Sequence, residues 1–308
     1  METKQSKSSI AALIFLAFIW GSSFILMKRG LEAFNANQVA AIRVFLSFIV
    51  LLPFAISRLK FLNLRLLFFV ALSGFLGSGI PAFLFTSAQV HINSTMAGIL
   101  NSLTPLFTLI IAVLFFKTKV YWFNVIGIIL GFIGAAALLI TDFTIIFKGE
   151  NIYGLLIVFA TLLYGFNTNH VKNNLKELDG ISITALSFFT VGPFAGVYLL
   201  FSDLPTAFEK PGAWSAFGYI TILAVIGTAF ALIIMNILIK KLTAILASSV
   251  TYIIPVFAIS WGILDGEVFS WHQGLSIILI FTGIYLVNKR AIKQHYTTDF
   301  TDNADLKC

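Results

Sequence analysis

The chain has 308 residues, of which 59% are hydrophobic and 11% are charged. Soluble globular domains carry about a quarter charged residues, so this composition excludes a water-soluble fold for most of the chain and indicates an all-α, polytopic membrane protein. The formal charge of +7 does not indicate a nucleic-acid partner, because the lysines and arginines are scattered between apolar runs.

Ten apolar stretches are each long enough to cross a hydrocarbon core about 30 Å thick, which takes about 20 helical residues. We call them spans 1 to 10, and they are predicted at residues 10–28, 37–57, 66–87, 94–116, 121–140, 152–170, 181–201, 213–238, 244–264 and 271–288. Span 1 follows two lysines but has no small-residue cleavage site, so we interpret it as an uncleaved transmembrane helix in the lipid bilayer.

Positive charges are distributed unevenly between the predicted loops. With a cytoplasmic N-terminus, fifteen lysines and arginines fall in cytoplasmic segments and four in external loops, while Arg43 lies inside span 2. This positive-inside bias predicts cytoplasmic N- and C-termini in a multi-pass protein of the cell (inner) membrane.

Two apolar segments repeat one pattern 150 residues apart, Ala97–Phe107 and Ala247–Phe257, each with a proline at its ninth position. A repeat at half the chain length indicates a duplication. Each half holds five spans, an odd number, so the second copy enters the membrane from the opposite side and the repeat is inverted.

The duplication predicts five segments along the chain. They are a cytoplasmic N-terminus (1–9), a first repeat with spans 1 to 5 (10–140), an external linker (141–151), a second repeat with spans 6 to 10 (152–288) and a cytoplasmic tail (289–308). The same alignment sets Trp20-Gly21 opposite Tyr164-Gly165, and Lys117 opposite Glu267.

Arg43 is the one charged residue predicted well inside a span, and no Asp or Glu lies near the middle of any span. Ionisable groups at membrane depth are costly and are functional candidates by default. One interpretation makes Arg43 a contact for a substrate carboxylate. The other lets it reach the external headgroups or the carbonyls of span 1.

Asn101, Thr104 and Pro105 share one face of span 4, and Thr251 and Pro255 hold the matching positions in span 9. Proline frees a carbonyl one turn earlier, which a membrane tolerates where neighbours meet it or where it lines a wet cavity. We therefore consider these prolines as gating elements and the polar residues beside them as substrate contacts. A kink that only shapes packing is the alternative.

Four further groups are candidates of lower weight. Trp20, Tyr164 and Tyr252 are aromatic residues with a polar tip inside spans, and they either contact substrate or pack in the core. Asn167 lies near the end of span 6 among other polar residues.

His91 and His170 are candidates for proton coupling, because imidazole titrates near neutral pH, although a lone histidine such as His170 at the end of span 6 is more often part of a solvated helix end. Pro81 follows three glycines in span 3 and is predicted to let that helix bend.

No motif of a catalytic or metal site occurs in the sequence. Cys308 is the only cysteine, so no intrachain disulfide or cysteine metal cluster can form. No His-Glu-x-x-His, Walker A loop, glycine-rich dinucleotide motif or nucleophile-and-base set is present. We expect no enzymatic activity, no metal and no cofactor.

In these features the chain resembles the EamA-type proteins of the drug/metabolite transporter superfamily, which have ten helices in two five-helix repeats. The residues that carry the likeness are Trp20-Gly21-Ser22-Ser23-Phe24, Arg43, Ala97, Pro105, Gly127, Gly134, Ala247, Pro255, Glu267 and Gly283. Two positions depart from the family pattern, Lys117 where an acidic residue is usual and Ser276 where a glycine is expected.

The resemblance implies a secondary transporter or exporter of a small-molecule substrate, often an amino acid, which moves by alternating access through a cavity between the repeats. It also implies that spans 1, 3, 4, 6, 8 and 9 line the path. Multidrug efflux stays open as an alternative. A non-transporting membrane scaffold is a third interpretation, but a scaffold has no need of matched broken helices.

Overall fold

The structure is a computed structural model that describes residues 2–118, 121–139, 150–242 and 244–304. All regular elements within these ranges are helical. Residues 141–149 of the predicted external linker, residue 140 at the end of the predicted first repeat and the last four residues of the predicted tail lie outside the described residues.

Helical segments in the described ranges overlap each of the predicted spans, and we number them α1 to α10 in the same order. Their bounds are α1 Glu2–Leu31, α2 Ala36–Arg58, α3 Leu64–Gln89, α4 Ser94–Phe116, α5 Trp122–Leu139, α6 Gly154–Asn174, α7 Gly180–Phe201, α8 Ala213–Lys241, α9 in three pieces (Ala244–Ser248, Ser249–Tyr252 and Ile254–Leu264) and α10 Trp271–Ala304. Short helical turns at Leu59–Phe61, Glu150–Tyr153 and Leu204–Glu209 lie between them.

Seven of these helices, α1 to α4 and α6 to α8, are long and apolar enough to cross a membrane by length and composition. Three shorter apolar helices, Trp122–Ala137, Val250–Leu264 and Trp271–Val287, lie within α5, α9 and α10. The described part of the chain is therefore an all-helical bundle that carries at least seven membrane-length helices.

Polar side chains fix where four of the helices begin. Asn35, Asn63, Asn93 and Asp179 each precede a helix and accept a hydrogen bond from a backbone N–H of its first turn, at 2.7–2.9 Å. Such a cap satisfies a donor that has no partner inside the helix. Short connections with a capping residue thus return the chain into the next helix.

Four helices are locally irregular. The α-helix of α4 stops at Asn101 and resumes at Thr104, just before Pro105, and α9 passes through a 3₁₀ turn before Pro255. Proline has no N–H to continue the ladder, which explains both breaks. α3 contains a π-helical turn at Phe75–Gly79 and α8 contains one at Val225–Phe230. The second lacks a nearby proline, and the hydropathy pattern did not indicate it.

Glycines allow two pairs of helices to touch. A Cβ on Gly21 of α1 would lie 2.5 Å from the Phe257 Cβ of α9, and a Cβ on Gly165 of α6 would lie 2.7 Å from the Thr108 backbone nitrogen of α4. α1 also packs against α8, α6 against α3, α2 against α7 and α5 against α10. These contacts place the broken helices α4 and α9 in the middle of the bundle.

Candidate functional site

A cavity lies in the centre of the bundle, where residues of α1, α2, α3, α4, α6, α8 and α9 meet. Seven of the eight predicted substrate-binding residues line it, and these are Trp20, Arg43, Asn101, Thr104, Tyr164, Asn167 and Thr251. The structure thus gathers side chains from both halves of the sequence around one space.

Arg43 is the single charged residue among the described residues that line the cavity. Its Nε donates a 2.7 Å hydrogen bond to the Thr228 hydroxyl, which itself donates to the Leu223 carbonyl of α8 at 2.9 Å. No carboxylate of the described chain pairs with the guanidinium. The bond to α8 differs from the α1 carbonyl contact considered as an alternative. A half-buried cation whose one bonded partner is neutral is costly within an apolar bundle unless an anion neutralises its charge.

The two π-helical turns bring backbone to the cavity wall. The Trp20 indole N–H donates to the Gly227 carbonyl at 3.0 Å, and a Cβ on Gly227 would lie 2.9 Å from the Ser23 hydroxyl. Gly77, in the turn of α3, faces the side-chain amide of Asn167 so closely that a Cβ would collide with it. Both glycines therefore permit a polar side chain of the opposite helix to approach the wall.

Threonine hydroxyls next to the prolines donate hydrogen bonds to backbone carbonyls of the broken helices. The Thr104 hydroxyl donates to the Asn101 carbonyl at 2.8 Å, which is the carbonyl that Pro105 cannot serve. In α9 the Thr251 hydroxyl donates to the Ser248 carbonyl at 2.9 Å. Thr104 thus gives the freed carbonyl of α4 a partner, since an unmet carbonyl is costly in an apolar setting. The Thr251 hydroxyl bonds a carbonyl that lies before the one Pro255 cannot serve, which is that of Thr251 itself.

Two polar groups near the breaks have no hydrogen-bond partner among the described residues. The Asn167 Oδ1 atom is buried and Asn167 lines the cavity. The Tyr252 hydroxyl is also buried without a partner, but Tyr252 does not line the cavity, unlike the other predicted contacts. A buried acceptor without a partner costs on the order of 1–3 kcal/mol, so Asn167 is well placed to receive a donor from a solute.

The two histidines considered for proton coupling lie away from the cavity lining. His91 is exposed and stacks on Tyr153 with 3.5 Å between ring centroids. His170 is buried, and its ring nitrogens lie 2.9 Å from the Phe69 carbonyl and 2.9 Å from the Asn174 amide nitrogen. One nitrogen donates and the other accepts in this arrangement, which suits a neutral imidazole.

Several lining residues were not predicted from the sequence. Ser23, Thr228 and Asn236 are polar residues of apolar helices that line the cavity. Asn236 donates to the Thr184 hydroxyl of α7 at 2.9 Å. A polar residue within an apolar run was the available signal for Asn236. Thr228 also interrupts an apolar run, but its pairing with Arg43, 185 positions away in the chain, left no signal in the sequence.

Comparison with known proteins relates both halves of the chain to one family. The family model described as "EamA-like transporter family" matches residues 7–140 and again residues 151–289. The inner membrane transporter YedA of Escherichia coli (strain K12), named as uncharacterized, is 28% identical over 302 residues, covering 93% of this chain and 92% of YedA.

Other relatives extend over similar lengths. An uncharacterized transporter of Archaeoglobus fulgidus is 24% identical over 277 residues, covering 88% of this chain and 95% of the relative. A solved structure described only as "Crystal structure of protein" superposes with a TM-score of 0.65 at 17% identity, covering 93% of this chain and 99% of the other. The structural likeness shows a shared fold.

Proposed function

The chain belongs to the EamA-like transporter family of multi-pass membrane proteins, and we propose that it exports small metabolites that carry a carboxylate, amino acids and related compounds foremost. The observation that carries this proposal is Arg43, a cation in the cavity wall whose one bonded neighbour is a neutral hydroxyl. A substrate carboxylate supplies the missing negative charge, and guanidinium binds carboxylate through paired N–H donors.

Other lining groups complete the proposed substrate site. Asn167 offers an amide oxygen without a partner, which suits the ammonium group of an amino acid. The Trp20 indole N–H is already bonded to α8, so its ring serves as a packing surface. Tyr164 stacks on Phe85 at the wall with 6.0 Å between ring centroids. In this proposal the substrate is bound by one ionic contact, to Arg43, and by uncharged side chains in the rest of the cavity wall.

We propose that the bundle comprises ten spans in two inverted five-helix repeats. The family model matches twice along the chain, which supports a duplication. Packing of α1 on α9 is mirrored by packing of α6 on α4, with Gly21 and Gly165 at the two contacts. The π-helical turns of α3 and α8 also begin 150 residues apart, at Phe75 and Val225. In transporters built from inverted repeats, the substrate site lies between the repeats, and movement of one repeat against the other opens the site to each side of the membrane in turn.

The proposed orientation places both termini in the cytoplasm. The fifteen-to-four distribution of positive charges supports it. The end of α1, near Lys28, then faces outside, while the ends of α6 and α8, near Lys172 and Lys240, face the cytoplasm. The prolines Pro105 and Pro255 lie at the breaks between these two ends and are proposed as the points where α4 and α9 bend.

Multidrug efflux is the second candidate, and the charge of the cavity argues against its cationic form. No Asp or Glu is present among the described lining residues, so a cationic drug would meet Arg43 without a counter-charge. A non-transporting scaffold is the third candidate, and it offers no reason for a half-buried cation such as Arg43, unpaired among the described residues, in a cavity wall.

A growth screen tests the proposed function. Cells that express the protein and cells that lack it are compared under toxic loads of amino acids, carboxylate-bearing analogues and cationic drugs. We expect expression to protect against at least one carboxylate-bearing compound and not against the cationic drugs. Protection against cations alone would contradict the proposal and favour multidrug efflux.

We expect transport by the double variant His91→Gln, His170→Gln to respond to an imposed pH gradient as the wild type does. Neither imidazole lines the cavity, and glutamine can both donate and accept the hydrogen bonds that His170 makes. Flux is measured in proteoliposomes at two internal pH values. A variant that transports at the normal rate but no longer responds to the gradient would restore the proton-coupling role of these histidines.

A further inference from the structure

The carboxylate of Glu267, in the loop after α9, binds the first turn of α4. Its Oε1 accepts a hydrogen bond from the Ser94 backbone N–H at 3.0 Å. Its Oε2 accepts from the Thr95 backbone N–H at 3.0 Å and from the Thr95 hydroxyl at 2.7 Å. Asn93 takes the next N–H, that of Met96, at 2.8 Å. The first three N–H groups of α4 thus have partners, two of them from a different part of the chain.

The backbone near Glu267 is shaped for this contact. Gly266 has a φ of +83°, a left-handed conformation that glycine adopts without strain and that turns the chain back toward α4. A Cβ on Gly262 would collide with the Thr95 hydroxyl and lie 2.6 Å from the Glu267 carboxylate. The two glycines let a negative side chain reach the positive end of the α4 dipole.

Ion pairs join α1 to the same cluster. The Lys28 ammonium lies 3.0 Å from Glu267 Oε1 and 2.6 Å from Asp265 Oδ2, and Arg29 pairs with Asp265 as well as with Glu32. The Glu267 side chain is only 7% exposed. Burial opposes its ionisation, but hydrogen bonds from Thr95 and Lys28 outweigh burial and hold the pKa of Glu267 below its usual value.

These contacts tie together α1, α4 and the end of α9 beside one end of the cavity. Met27, the neighbour of Lys28 in α1, lines the cavity. Because α1, α4 and α9 all contribute to the cavity wall, opening a path past Met27 requires their ends to separate. Separation breaks the hydrogen bonds from α4 to Glu267 and the Lys28 ion pairs.

At the opposite end of the bundle, the described residues hold no carboxylate at the position related to Glu267. The position related to Glu267 by the 150-residue repeat is Lys117, and the position related to Lys28 by the Trp20 to Tyr164 alignment is Lys172. Lysines cannot form an ion pair with each other, and neither can accept hydrogen bonds from a helix N-terminus. Lys172 instead donates to the Lys240 carbonyl at 3.0 Å.

We propose that Glu267, bound to the first turn of α4 and to Lys28, is a latch that holds the Lys28 end of the cavity closed in the substrate-free protein. Resting on the orientation given under the proposed function, this end is external. The latch then biases the empty transporter toward the state closed to the outside, in which the cavity takes its substrate from the cytoplasm. A one-sided latch in a two-sided repeat thus favours loading of the empty transporter from the cytoplasm, as export requires, while the gradients of the solute and of any coupled ion set the direction of net flux.

Thiol labelling in intact cells tests the latch. Cys308, the only cysteine, is replaced by serine, and Met27→Cys is introduced as the reporter beside the latch. The probe is the membrane-impermeant reagent 2-sulfonatoethyl methanethiosulfonate. We expect slow labelling of the reporter when Glu267 is present and about tenfold faster labelling with Glu267→Gln, because the charged hydrogen bonds and the ion pair are lost.

Matched variants separate the latch from general loosening. Lys117→Gln changes the related position at the other end and is expected to leave the external labelling rate unchanged. Thr95→Val removes only the 2.7 Å hydroxyl bond and should give a smaller rise. If Glu267→Gln fails to reach the membrane, the labelling rate is measured in Thr95→Val and Lys28→Gln instead, each of which removes one contact of Glu267. Equal labelling rates with and without an intact Glu267 contact would overturn the latch.

The labelling result is independent of whether the protein transports a carboxylate. A rise caused by Glu267→Gln supports the latch even if every flux assay is negative, in which case only the proposed function fails. If Glu267→Gln raised the labelling rate of the reporter only when the reagent was added to inside-out vesicles, the Lys28 end of the cavity would be cytoplasmic. That result would overturn the proposed bias toward export.

Discussion

Arg43→Gln is expected to reduce substrate flux by about 30-fold or more, the equivalent of about 2 kcal/mol of lost binding in the transport cycle. Glutamine has a similar length but no charge, so it cannot neutralise a substrate carboxylate. Because the guanidinium bonds to one neutral hydroxyl, that of Thr228, and to no carboxylate of the described chain, its removal leaves no buried anion behind. We therefore expect normal insertion and an unchanged or higher melting temperature.

Two further variants test whether the charge, the paired donors and the position of the Arg43 guanidinium each matter for flux. Arg43→Lys keeps the charge but loses the paired donors, so we expect partial flux with a raised KM. Thr228→Val removes the group that positions the guanidinium and should also raise KM more than it lowers the maximal rate. A folded Arg43→Gln protein with flux within about twofold of the wild type would mean that Arg43 does not contact substrate.

Gly165→Ala and Gly21→Ala are expected to cause large losses of stability. A Cβ at Gly165 would lie 2.7 Å from the Thr108 nitrogen and 2.8 Å from the Phe107 carbonyl carbon, both backbone atoms of α4. A Cβ at Gly21 would lie 2.9 Å from the Ile254 carbonyl oxygen of α9. Backbone cannot move aside as a flexible side chain can, so each variant should lose about 1–3 kcal/mol or more.

Gly218→Ala is the matched control for these two substitutions. Gly218 lies in α8 with no atom within 4 Å of the added methyl group. Alanine also favours helix over glycine by about 0.5–1 kcal/mol, so no loss is expected there. Thermal unfolding in detergent, followed by size-exclusion chromatography, compares the three variants. Equal melting temperatures would show that the helices do not pack as closely as their glycines indicate.

Hydropathy and proline positions predicted much of this architecture. Helical segments overlap each predicted apolar stretch in the described residues, because a bilayer core demands apolar helices, although the first and last helices extend beyond their predicted spans to Glu2 and Ala304. The breaks before Pro105 and Pro255 follow from the missing N–H of proline. The count of ten spans and the inverted repeat remain proposals, supported by the double family match.

The parts of the site that depend on distant pairing could not be predicted. Seven predicted residues reached the cavity wall, since polar groups in apolar helices need a shared polar space, but Tyr252 did not. Which face of a broken helix meets the cavity depends on the local unwinding of α9, which its sequence alone does not fix. The π-helical turn at Val225–Phe230 and the bond from Arg43 to Thr228 likewise arise from packing between separate helices.

Substrate flux in proteoliposomes is the most direct test of the account. Purified protein is reconstituted, and uptake of labelled solutes is measured for an acidic, a neutral zwitterionic and a cationic series, with Arg43→Gln vesicles beside the wild type. We predict saturable flux of at least one carboxylate-bearing solute that Arg43→Gln removes, and no flux of cations that lack a carboxylate. Absence of flux for every solute, or flux of such cations that persists in Arg43→Gln, would contradict a carboxylate transporter.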